Sequence, residues 1–91
     1  MCCGCQDISS LSSKYGDLLQ EYHKFQNYTF QTSQLLIVTK TLIESKNPQA
    51  FDLYTQAFKT HVNAFNSFIE LLVLYEEITQ KYWHIYTNSR N

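Results

Sequence analysis

Glycine and proline are nearly missing from this chain, at two and one in 91 residues. So few breakers exclude a collagen-like repeat, a Pro-rich linker and a Gly-rich phosphate-cradling loop. Charge is scarce too. Asp, Glu, Lys and Arg make up 16% of the sequence, against roughly 25% in ordinary soluble domains. Seven basic and eight acidic residues leave a net charge of −1, which provides no electrostatic footprint for nucleic acid or an anionic membrane surface. Long apolar runs are also lacking. The richest, Phe68 to Tyr75, is interrupted by Glu70, and Leu35 to Val38 runs straight into Thr39 and Lys40. Neither approaches the ~20 apolar residues of a membrane-spanning helix.

Cysteine is absent after position 5. Cys2, Cys3 and Cys5 cluster at one end, so no disulfide framework can staple the fold. An odd set of thiols with no signal-like stretch beside it points to a reducing, cytoplasmic setting. The three side chains are candidate S-acylation sites, since stable lipid anchoring needs more than one chain or signal. A zinc site is not expected. Structural zinc takes four ligands in separated pairs, and a Cys-Cys-x-Cys run does not offer them.

Catalytic and cofactor constellations are missing as well. Glu76 and Glu77 are adjacent, so on a helix they diverge by about 100°. His23, His61 and His84 form no His-Glu-x-x-His pattern, and no nucleophile elbow or dinucleotide fingerprint occurs. The sequence implies no enzyme, no cofactor and no metal. His61 falls on the apolar stripe described next, which predicts a buried or boundary position.

Aromatics are what the chain does have: seven Tyr, six Phe and one Trp, within a hydrophobic fraction of 44%. That fraction excludes a disordered tail. One punctuation mark divides the chain, Asn47-Pro48. Asn is a strong helix N-cap, Pro is favoured at the first helical position, and the residue before Pro is driven out of the α region. A first helix therefore ends near Ser45 or Lys46 and a second starts near Pro48. So short a connection makes the two antiparallel neighbours.

Steps of three and four from Phe51 land on Tyr54, Phe58, His61, Phe65, Phe68, Leu72, Tyr75, Thr79, Tyr82 and Tyr86. This is a heptad pattern sustained over the whole second segment. A flanking register runs through Ala50, Ala57, Ala64, Leu71, Ile78 and Ile85, and Val62, Ile69 and Trp83 widen the stripe further. The first segment repeats the pattern from Ile8 through Leu11, Tyr15, Leu18, Tyr22, Phe25, Thr29, Thr32, Leu36, Thr39 and Ile43. Its flank is Tyr28, Leu35 and Leu42.

The expected fold is all-α: an antiparallel hairpin of two long amphipathic helices, coiled-coil-like with a wide apolar face. Residues 1–6 are expected as a flexible Cys-rich tail, 7–46 as the first helix, 47–88 as the second and 89–91 as a short tail. A break near 27–32 is the main alternative, because that stretch is polar and β-branched. Gly16-Asp17 is a further place where the first helix could begin late. Core or interface is assigned to Leu18, Tyr22, Phe25, Leu36, Ile43, Phe51, Tyr54, Phe58, Phe65, Phe68, Leu72, Tyr75, Tyr82 and Tyr86.

A helix of this length spans roughly 57 Å, too long for a compact globule. The stripe is also wider than one neighbour can cover. The sequence therefore implies partners, either other protein subunits or a second copy of the chain. Three readings stay open: a non-catalytic hairpin subunit of a larger assembly, a peripheral membrane adaptor held by acylated Cys2, Cys3 and Cys5, and a self-sufficient homo-oligomeric bundle.

Overall fold

The computed structural model describes residues 3–90, with side chains described from 8 to 87. Two α-helices make up the described chain: α1, Cys3–Glu44, and α2, Ala50–Arg90. They lie side by side and antiparallel as a rod of 68 × 16 × 13 Å with a radius of gyration of 20.3 Å. A compact domain of this length would have a radius near 12 Å. The molecule is a hairpin.

α1 begins at Cys3, earlier than the tail expected over 1–6, and α2 runs on to Arg90. α1 is continuous through Gly16 and through 27–32. Within this polar stretch the hydroxyls turn back on their own helix and are satisfied there. Thr29 Oγ1 donates to the Gln26 carbonyl at 2.8 Å and Thr32 Oγ1 to the Tyr28 carbonyl at 2.8 Å. Thr32 is also buried against α2's side of the hairpin, at 6% exposure. Packing here overrides a weak intrinsic propensity.

The turn is built as Asn47-Pro48 requires. Asn47 N donates to the Leu42 carbonyl at 2.8 Å and Lys46 N to the Ile43 carbonyl at 3.0 Å. Together these make a Schellman C-cap. Lys46 takes the left-handed position, with φ 59°, where glycine is the usual occupant. Asn47 then caps the next helix: its Oδ1 accepts the Gln49 N–H at 2.9 Å, and its carbonyl accepts from Ala50 N at 3.1 Å. Pro48 follows the capping Asn47 in the turn that leads into α2, where no N–H is needed.

The packed seam is the flanking register rather than the aromatic stripe. Ala57, Ala64, Leu71, Leu74, Ile78 and Ser67 are buried along α2, and Leu18, Thr32 and Thr39 along α1. Leu18, Leu71, Leu74 and Ile78 form one cluster, with Leu11 and Phe25 packed against it. Small residues line the half nearer the turn and large aliphatics the open half. Alanine at 57 and 64 permits close approach of the helices, which an aromatic would prevent. Thr39 satisfies its buried hydroxyl on the Leu35 carbonyl at 2.7 Å.

Candidate interaction face

Of the residues assigned to core or interface, Leu18 is buried in the seam and Phe25 half-buried beside it. The others are exposed on the hairpin: Tyr22, Leu36 and Ile43 on α1, and Phe51, Tyr54, Phe58, Phe65, Phe68, Leu72, Tyr75, Tyr82 and Tyr86 on α2. They are not the seam between the two helices. The physical reason is width. A pair of helices seals only the residues that face one another, and the stripe one step further round needs another neighbour. His61, expected buried or at a boundary, is exposed for the same reason.

These exposed residues form a continuous face. Tyr15 and Tyr82 come together across the two helices, rings edge-on with centroids 6.2 Å apart and hydroxyls 3.5 Å apart. Phe25 and Phe68 meet at 5.9 Å and 41°. Aromatic contacts between α1 and α2 therefore lie on one side of the seam, and the stripes beginning at Ile8 and Phe51 share that side. No position from 51 to 86 on the α2 stripe is Asp, Glu, Lys or Arg, nor is 8, 15, 22, 29, 36 or 43 on α1.

Charge gathers on the opposite side. There Lys14 Nζ pairs with Glu77 Oε2 at 2.5 Å, and Lys81 Nζ donates to Ser10 Oγ at 2.8 Å. Ser67 Oγ donates to the Glu21 carboxylate. A shallow groove on that side is lined by Lys14, Asp17, Glu21, Lys24, Glu70 and Glu77. The two sides differ in chemistry: one gathers ion pairs, and the other is mainly aromatic, with Lys40 and Glu44 lining a groove beside Leu36 and His61 near the turn.

Among the described residues, two groups titrate away from their ordinary values. Lys14 is held above 10.5, first by its hydrogen bond to Glu77 and then by that carboxylate's charge. Tyr15 is held above 10.0 by the hydrogen bond it shares with Tyr82 and by the charge Tyr82 acquires on ionising. Both shifts tie α1 to α2 near the open end.

Among the described residues no group of His, Cys, Asp or Glu is placed to hold a metal ion, and no helix is long and apolar enough to cross a membrane. Cys2 lies outside the described residues. Cys3 and Cys5 fall in the first turns of α1, with their side chains outside the described set. The signal that marks the true seam was in the sequence as the run Ala57, Ala64, Leu71, Ile78, whose small members fit a close helix contact.

Fold and face together define an all-α helical hairpin with one packed seam and one open apolar side. No protein-family model, curated protein or solved structure matches the chain.

Proposed function

We propose that the chain is a non-catalytic packing subunit, a helical hairpin whose aromatic face completes a bundle with other protein helices. One observation carries this reading. Phe58 and Phe65 are 62% and 60% exposed, while their neighbours Ala57 and Ala64 are 1% exposed. The same alternation of buried and exposed neighbours continues with Leu71 at 3% and Leu72 at 52%.

Burying a large aliphatic or aromatic side chain is worth about 1.5–3 kcal/mol. A monomer that leaves a row of them in water forgoes most of its available stabilisation. Contiguous exposed apolar patches beyond a few hundred Å² mark interaction surfaces. Tyrosines at 54, 75, 82 and 86 suit such a surface, since each offers apolar area with one polar tip. The role belongs in a reducing compartment, because Cys2, Cys3 and Cys5 have no distant cysteine with which to pair.

The test is the particle size of the chain in a cell lysate, by gradient sedimentation, for the parent and for Phe58→Asp/Leu72→Asp. Both positions are exposed on the hairpin, so helicity should persist while the variant shifts to the free chain. A variant that keeps its helicity and still runs in the parent's particle refutes the packing role.

A further inference from the structure

We propose that the partner for this face is a second copy of the chain, and that the two hairpins pair turn to open end as an antiparallel four-helix bundle. The inference rests on the packing role above and names its occupant. Area is the first argument. A face 68 Å long and 16 Å wide between Cα extremes presents on the order of 1,000 Å², above the ~800 Å² per partner of a stable interface.

Charge is the second. Two identical chains bring identical charges, so a surface that pairs with itself must keep like charges apart. This chain does so by side. Lys14, Glu21, Glu70 and Glu77 line the far groove, while the aromatic face carries no Asp, Glu, Lys or Arg along the stripes of either helix. The charges beside it, Lys40 and Glu44, line a groove with Leu36 and His61 at the turn end and pair with each other at 3.6 Å. A second face whose stripes are aromatic and uncharged fits the rest of its length.

Direction follows from how the aromatics are sorted. Phe51, Phe58 and Phe65 lie toward the turn, and Tyr15, Tyr75 and Tyr82 toward the open end, with Tyr54 the exception in the turn half. A parallel pair lays tyrosine on tyrosine. An antiparallel pair lays the phenylalanine half of each copy on the tyrosine half of the other, twice over by symmetry. The Tyr15 and Tyr82 hydroxyls already share a hydrogen bond inside the hairpin. Their rings are thus left to meet a surface made mainly of phenylalanine, in offset or edge-on contact.

Sedimentation equilibrium of the purified chain under reducing conditions should return twice 10.7 kDa. Phe65→Asp should keep parental helicity and raise the dissociation midpoint at least roughly 30-fold, the size of an interface hot spot. For direction, a nitroxide is placed at Gln49→Cys in a background with Cys2, Cys3 and Cys5 changed to Ser. Pulsed electron spin resonance should then find the two labels separated by a distance comparable to the rod's 68 Å length. Labels within roughly 20 Å, about two helix diameters, overturn the antiparallel arrangement. A monomer at every concentration overturns self-pairing altogether. If the monomeric chain still enters a larger particle in lysate that Phe65→Asp abolishes, this inference alone has failed. If the lysate species is also the free chain, the packing role fails with it.

Discussion

Ala64 and Phe65 are neighbours in sequence and opposites in environment: the alanine is 1% exposed and the phenylalanine 60%. The helix puts the methyl group at the closest approach of α1 and α2 and turns the ring about 100° away. The same relationship recurs one heptad earlier at Ala57 and Phe58. Substitutions at the two kinds of position should therefore fail in different ways. Ala64→Leu overfills the seam and should cost about 1–3 kcal/mol of hairpin stability in urea denaturation. Phe65→Asp should leave far-ultraviolet circular dichroism unchanged and act on assembly alone. Equal losses of helicity from both would place Phe65 inside the fold.

Gly16 is a helical, exposed glycine with nothing within 4 Å of an added Cβ. Gly16→Ala should stabilise the chain by about 0.5–1 kcal/mol, because alanine has less backbone freedom to lose and no atom obstructs it. The midpoint of thermal unfolding checks this. A lower midpoint would mean that a neighbour absent from the single hairpin packs against position 16.

At the turn, Lys46 holds a left-handed conformation at φ 59°. Such a residue costs roughly 1–2 kcal/mol relative to glycine, part of which glycine gives back as backbone entropy. Lys46→Gly should therefore raise stability by about 0.5 kcal/mol. Asn47→Ala should lower it by about 1 kcal/mol, since Oδ1 caps the Gln49 N–H at 2.9 Å. Chemical denaturation of the two variants should move the midpoint in opposite directions.

The pH dependence should appear on the alkaline side. Lys14 and Tyr15 both have pKa values raised in the folded chain. A raised pKa means that the protonated form is favoured by folding. Its contribution is complete below the unfolded value and is lost as pH rises through the folded one. Thermal stability should hold across neutral pH and fall above about pH 10. Tyr82→Phe removes Tyr15's partner, so the Tyr15 ring should titrate closer to 10.0 by NMR of labelled tyrosine. An unmoved Tyr15 titration would show that the hydroxyl pair does not form.

Much of the fold was legible because its signals are local. Asn47-Pro48 marks one stop and one start, and near-absence of other breakers leaves two long helices. The side of the helix that faces inward was not legible from periodicity. Two parallel stripes, one aromatic and one alanine- and leucine-rich, satisfy the same heptad spacing on α2, and the larger residues weigh more in any pattern. On α1 the single stripe drawn from Ile8 splits. Leu11, Leu18, Phe25, Thr32 and Thr39 face the seam or its border, while Tyr15, Tyr22, Leu36 and Ile43 are exposed. Thr32 and Thr39 fall on that stripe but, being polar, stay outside the core assignment; their hydroxyls bond carbonyls one turn back, which lets them occupy apolar positions. The alternative of a break at 27–32 falls away, and α1 is continuous as expected.

The central claim is that the aromatic side is covered in the assembled protein, and hydroxyl-radical footprinting with mass-spectrometric readout tests it most directly. Phe58, Phe65 and Phe30 have the same ring chemistry and nearly the same exposure on the single hairpin, at 62%, 60% and 65%. Phe30 lies off the two stripes drawn from Ile8 and Phe51, so it serves as the comparison ring. The account predicts that Phe58 and Phe65 are oxidised far more slowly than Phe30 in the protein as it exists in cells. Equal oxidation of all three rings would contradict it.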